Sequence, residues 1–211
     1  MSAPHCPATV LVVRHAEATY DRPDVPSDEG GWLTERGRQQ AERLAEILGT
    51  RRVAAVYTSE LQRARETGTI LAERLVVRCH DLPGVEEFRV GEYGGRRDGG
   101  PAIVAVFDHW LAGDLDAACP GGDSARQVMA RFAAALEEVA DQHRGETVVV
   151  VSHGGAMALA LPSLCGNASP ALRQAHWLPH CGLAEVSIGA QGWELGPWPG
   201  STDQLVAEPA R

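Results

Sequence analysis

Apolar positions along this chain follow two alternating rhythms. Short unbroken runs are separated by longer stretches where apolar residues return every three or four positions. The first run, within residues 9–13, is Val10-Leu11-Val12-Val13, with the length and β-branched content of a strand buried on both faces. Val53-Ala54-Ala55-Val56-Tyr57 and Val148-Val149-Val150-Val151 read the same way, and Val76-Val77-Arg78-Cys79 is a further strand candidate. Between them the period is helical. Ala41, Leu44, Ala45, Ile47 and Leu48 share a face of a helix expected over 35–48, capped by Thr34 and stopped by Gly49. A second helix over 60–75 buries Leu61, Ala64, Ile70, Leu71 and Leu75. A short third one covers 103–111. A fourth starts from a cap at Asp123 or Ser124 and runs to 142, with Val128, Phe132, Leu136 and Val139 inward; a fifth covers 156–164. Beyond Pro170 the pattern switches to alternation over 182–188, a turn at 189–192 and a return over 193–195.

Strands alternating with helices imply an α/β fold: three α/β/α layers, a mostly parallel central sheet and an antiparallel C-terminal edge strand. Residues 1–8 read as an irregular lead and 9–195 as a single domain. Residues 96–122 are a variable insert within it, and 196–211 are a disordered tail. The polar stretches 16–33 and 82–95 read as loops, the first long enough to suggest function.

Composition mostly excludes. With 44% hydrophobic and 22% charged residues the chain is ordinary globular protein, and a net charge of −9 gives no reason to expect nucleic-acid or anionic-membrane binding. All 19 basic residues are arginine, so a Walker-type phosphate loop and lysine Schiff-base chemistry are ruled out. The five cysteines are scattered, without a C-x-x-C pair, which fits a reducing cytoplasm. Residues 1–7 lack the charged and apolar regions of a signal peptide, and no apolar run approaches membrane-spanning length. Oligomerisation through an edge strand is possible and nothing requires it.

Two of the buried strands run into a histidine, at Val13-Arg14-His15 and Val151-Ser152-His153. In a parallel sheet both ends lie on the ligand-binding edge. A third strand stops just before Ser59, which puts Arg63 in the first turn of the next helix, where anions are favoured. Arg14, His15, Arg63 and His153 can therefore converge. An imidazole can attack phosphorus, and guanidinium groups can fork phosphate oxygens.

At these residues the chain resembles the histidine phosphatase superfamily, in the branch holding cofactor-dependent phosphoglycerate mutases and fructose-2,6-bisphosphatase. Arg14-His15-Ala16-Glu17 matches R-H-[G/A]-E, and Leu33-Thr34-Glu35-Arg36-Gly37 with Gln40-Ala41 matches L-T-x-x-G-x-x-Q-A. Ser59 to Thr67 matches S-x-L-x-R-A-x-x-T, and Val85 to Gly95 is similar to L-x-E-x-x-x-G-x-W-E-G. Gly121-Gly122-Asp123-Ser124 stands where the family has G-G-E-S, and Val151-Ser152-His153-Gly154-Gly155 matches V-[S/T]-H-G-G.

The resemblance implies a phosphoglycerate mutase-like fold and a metal-independent phosphomonoesterase acting on a small phosphorylated metabolite. It implies His15 as nucleophile, forming a phosphohistidine, and Arg14, Arg63 and His153 as phosphate binders. Glu87 aligns with the proton donor, ahead of Glu86, Glu92 and Glu17; Glu86 then reads as a solvated carboxylate. No cofactor is expected, since the arginines take a metal's electrostatic role. Mutase-type transfer is the alternative; the short stretch from Glu87 to His153 favours hydrolysis, because mutases use a longer insert there to shield the phosphohistidine. A non-catalytic phosphate-binding module is a third reading.

The chain departs from the family at Ala18, for the usual Thr, and at Asp21, where many members carry Asn. Asp21 either contacts substrate or structures its loop, and Arg89 either recognises a substrate anion or is a surface charge. His176 to Cys181 has the look of a metal cluster, which Pro179 disfavours; His5, His80 and His143 read as solvated, and Trp110 as packing.

Overall fold

The computed structural model describes residues 6–22, 25–27, 30–168, 172 and 178–198. In chain order its elements are β1 (Ala8–Arg14), β2 (Ala18–Thr19), β3 (Trp32–Leu33), α1 (Glu35–Leu48), β4 (Val53–Thr58), α2 (Gln62–Leu75) and β5 (Arg78–Asp81). A 3-10 turn at Gly91–Tyr93 follows, then α3 (Gly99–Leu111), α4 (Ala125–Gln142), β6 (Thr147–Ser152), α5 (Gly154–Leu164), β7 (Leu183–Gly189) and β8 (Gly192–Leu195).

The main sheet has the order β5-β4-β6-β1-β7-β8. β1, β4, β5 and β6 run parallel; β7 pairs antiparallel with β1, and β8 antiparallel with β7. β1 and β6, at the centre, explain why the two apolar runs do not alternate. Val10, Val12, Val148 and Val150 face a core with Phe132 and Leu136 of α4 and Met157 of α5. Leu11, Val13, Val149 and Val151 face the opposite core with Leu44 of α1 and Leu71 of α2. Each such valine or leucine contributes about 1.5–3 kcal/mol by burial, so neither face tolerates a polar position.

Caps set the helix boundaries. Thr34 Oγ1 accepts the Gly37 amide at 2.9 Å and donates to Glu17 Oε1 at 2.8 Å, which ties the start of α1 to the chain leaving β1. At α4 the cap is Ser124, in a reciprocal capping box with Gln127.

Several boundaries differ from expectation, each for a local reason. β5 starts at Arg78 because Val76 takes the left-handed conformation (φ 56°) that closes α2, and β-branched composition alone does not reveal that. α3 starts at Gly99: Pro101 sits in its first turn, where no amide is needed, so the Gly-Gly-Pro run opens the helix. Gly154 and Gly155 likewise begin α5. The 16–33 stretch contains a small ladder, Ala18↔Leu33 and Thr19↔Trp32. The expected tail is ordered at its start, where the Gly196 amide donates to Glu185 O and Trp198 is buried; its remainder, from 199 on, lies outside the described residues. Residues 1–5 of the lead lie outside as well.

No helix among the described residues is long and apolar enough to cross a membrane.

Candidate active site

The parallel register between β1 and β6 pairs Arg14 with Ser152, so both histidines leave the sheet at the same edge. The His15 amide continues the ladder to Ser152 O at 2.9 Å, and the two imidazole rings lie 5.2 Å apart. β4 ends one strand away, and α2 then brings Arg63 in at its second residue.

His15 is buried, and its Nδ1 lies 2.7 Å from Ala16 O. A carbonyl only accepts, so Nδ1 carries the proton and Nε2 presents its lone pair. Arg63 Nε donates to that Nε2 at 3.3 Å. Burial, then the Arg63 charge, hold the His15 pKa well below its usual value, with Arg14 and His180 acting in the same direction. The imidazole is therefore neutral at neutral pH.

His153 is fully buried and also depressed, by burial first and by His15 and Arg63 next. Its Nε2 lies 2.6 Å from Ser59 Oγ, which also accepts the Leu61 amide at 3.3 Å. Its Nδ1 is buried without a hydrogen-bond partner in the protein.

Arg14 is anchored at its base. Its amide donates to Gly182 O, its carbonyl accepts from the Cys181 amide, and Nη1 donates to Leu178 O. Nη2 donates to His180 Nε2 at 3.0 Å.

Glu87 is docked on the start of α5. Its Oε1 accepts the Ala156 amide at 2.7 Å and Oε2 the Gly155 amide at 3.0 Å. That close approach needs glycine at 155: a Cβ there would stand 2.6 Å from Phe88 Cε1 and 2.8 Å from Glu87 Oε1. The loop carrying Glu87 is held by Arg131 of α4. Nη1 donates to Gly84 O at 2.8 Å and Glu86 O at 2.7 Å; Nη2 donates to Glu87 O at 3.0 Å. Asp123 Oδ2, 3.3 Å from Nη2, also accepts the Arg89 amide.

A cavity of about 510 Å³ opens over His15. Arg14, Arg63 and Glu87 line it, so four of the five principal residues named from the sequence meet at one point, with His153 packed beside His15. Asp21 lines a smaller neighbouring cavity of about 170 Å³ with Tyr20 and Trp32. Arg89 is not in the lining; its Nε lies 3.3 Å from Asp123 Oδ1. Glu86 is not simply solvated: it binds the Gly84 amide and pairs with Arg131. His143 bridges Tyr57 Oη and Glu146 Oε2, each at 2.8 Å. Trp110 is packing, buried against Phe88 and Phe107. In the suspected metal cluster His176 lies outside the described residues, His180 faces Arg14, and burial pushes the Cys181 thiol up to about 12.

Ser59 and Arg131 have no role in the sequence reading, and His180 appears there only in the suspected metal cluster. Ser59 stood inside a matched motif. Arg131 shares its helix's apolar rhythm and carries no local signal of its target.

Comparison with known proteins decides the family. The sequence model of the histidine phosphatase superfamily (branch 1) matches residues 10–199. The chain belongs to that superfamily. The enzyme class follows from membership: a histidine phosphatase. The chain is 33% identical over 158 residues to a metal-independent phosphoserine phosphatase of Arabidopsis thaliana, spanning 70% of this chain but only 65% of that protein. It is 31% identical over 176 residues to phosphoglycerate mutase-like protein 4 of the same plant, covering 79% and 74%. The fold matches a mycobacterial glucosyl-3-phosphoglycerate phosphatase with a TM-score of 0.75 at 23% identity, over 90% of this chain and 97% of that one. The phosphoglycerate mutase-like fold that the resemblance implied is thus the one the structure has.

Proposed function

We propose that this histidine phosphatase is a metal-independent phosphomonoesterase that hydrolyses a small phosphorylated metabolite through a phosphohistidine on His15. The observation that carries the reading is the His15 tautomer: a neutral imidazole whose Nδ1 proton is donated to Ala16 O, leaving Nε2 unprotonated beside Arg63 at the cavity.

In the first step Nε2 attacks phosphorus, the P–O bond to the leaving alcohol breaks, and Glu87 supplies the proton that alcohol needs. Both Glu87 oxygens accept α5 amides, so that proton occupies a remaining lone pair of the carboxyl that lines the cavity. Arg14 and Arg63 receive the equatorial oxygens, where donors aimed at developing charge contribute about 3–4 kcal/mol each. The orphan Nδ1 of His153 gains a phosphoryl oxygen as its missing partner when Ser59 Oγ donates to its Nε2. In the second step Glu87 takes a proton from water, the oxygen attacks phosphorus, and the P–N bond breaks to restore neutral His15.

Phosphate release from p-nitrophenyl phosphate in the presence of a chelator tests the reading. Wild type is expected to turn over and His15→Ala to be inactive. A base-stable, acid-labile phosphate label should be trapped on His15. Full activity in His15→Ala overturns the mechanism, and transfer to an acceptor alcohol without net phosphate release would establish the mutase alternative.

A further inference from the structure

Among the described residues the cavity's basic side chains gather at one end. Among the described residues its arginines are Arg14 and Arg63, both at His15. The wall beyond them is built from Val25, Pro26, Phe88, Val90, Ile103 and Val104, with Tyr20 and Ser27 adding neutral hydroxyls. We propose that the substrate carries its phosphate on an uncharged, largely apolar alcohol, selected by the α3 face at Ile103 and Val104 together with Phe88. This rests on the hydrolase reading above and narrows it to a substrate class.

Three further observations point the same way. First, two arginines near the start of the insert are engaged elsewhere: Arg89 lies on Asp123, and Arg96 forks Asp98 at 3.0 and 2.8 Å. Neither lines the cavity. A carboxylate or second phosphate on the leaving alcohol would meet Glu87 and apolar side chains, and an unpaired anion removed from water is strongly penalised. Second, the start of α3 reaches the cavity at Gly100 but offers few amides. The Gly99 amide donates to Arg96 O at 3.2 Å, and Pro101 has none. Third, Val104 is 59% exposed at the cavity, and among the described residues it is one of three large apolar side chains on the surface, with Trp32 and Val76. The same helix turns Phe107 and Trp110 into the aromatic cluster with Phe88, so α3 is fixed to the core while its outer residues stay bare. An exposed apolar side chain at a cavity wall is stabilised by an apolar ligand that covers it.

Hexyl phosphate and 3-phosphoglycerate both release poor alkoxide leaving groups, so their kcat/KM ratio reads recognition of the alcohol rather than its reactivity. Wild type is expected to favour hexyl phosphate by about tenfold or more. Val104→Arg, which adds a cation at the wall, is expected to raise kcat/KM for 3-phosphoglycerate relative to hexyl phosphate by about tenfold; Val104→Leu should not. Calorimetric binding to the His15→Ala variant repeats the comparison without turnover, and tighter binding of hexyl phosphate is expected. Preference of wild type for 3-phosphoglycerate or phosphoserine, in turnover or in binding, overturns the substrate class and leaves the hydrolase reading standing. Absence of phosphate release from every ester, p-nitrophenyl phosphate included, overturns both.

Discussion

Replacing Arg131 by methionine keeps the aliphatic stem and removes the guanidinium that holds the Glu87 loop. Three backbone carbonyls, at Gly84, Glu86 and Glu87, lose their donor, and the Glu86 and Asp123 carboxylates lose a countercharge. Asp123 is the sharper loss, because its side chain is only 9% exposed, although Arg89 still pairs with it. A hydrogen bond to a charged group contributes about 1.5–3 kcal/mol, and breaking a buried pair costs about 3–5. Arg131 and Glu86 retain 22% and 24% exposure, so water compensates part of this. A net loss of about 3 kcal/mol follows, to be read from urea denaturation. The catalytic effect should be selective. Displacing a catalytic group by roughly 1 Å lowers rates about 100-fold, and Glu87 matters only where the leaving oxygen needs a proton. Arg131→Met should therefore lose about 100-fold in kcat/KM on hexyl phosphate and little on p-nitrophenyl phosphate, whose phenolate leaves unaided. Glu87→Gln should show the same split, and Arg131→Lys an intermediate one. Equal losses on both esters in the folded variant, with the split intact in Glu87→Gln, would refute the positioning role.

Two other perturbations bear on the same edge of the sheet. His15 and His153 are both held neutral in the fold, with pKa values below 6.5. Above that pH neither state binds these protons. Below it the unfolded chain takes them up and the native protein does not, so stability falls on acidification by about 1.4 kcal/mol per pH unit for each histidine. Urea melts should be nearly flat above about pH 6.5 and approach that slope toward roughly pH 5.5, reduced by one proton in His153→Gln; an unchanged slope contradicts the burial account. Gly155→Ala drives a Cβ into Phe88 and Glu87 Oε1. It should destabilise by about 1–3 kcal/mol and reduce turnover of alkyl esters more than of p-nitrophenyl phosphate; wild-type kinetics would show that the close approach is unimportant.

The parts legible in the sequence were those governed by period. Val10 to Val13 and Val148 to Val151 can only be strands covered on both faces, so their exits at His15 and His153 share an edge. Arg63 was placeable because a strand end and a helix start bracket it. What escaped depends on contacts far apart in the chain. The carbonyl holding His15 is that of the next residue, but which carbonyl turns inward is a matter of backbone angle. Arg131 reaches a loop more than forty residues before it, and no spacing rule encodes that pairing. The Gly-Gly-Pro and Gly-Gly starts of α3 and α5 read as breaks because glycine and proline carry no helical preference, although both tolerate a first turn.

The position of β1 in the sheet has a consequence for how the chain is made. It precedes every other strand of its sheet, and both of its neighbours, β6 and β7, come late in the domain. Until β6 and β7 are made its apolar run has no ladder to join, and the Cys181-Gly182 segment that holds the backbone of Arg14 does not yet exist. Such long sequence separations slow folding and leave a sticky segment waiting. His15 is thus translated well before the segments that close its pocket, which is among the last parts of this domain to form.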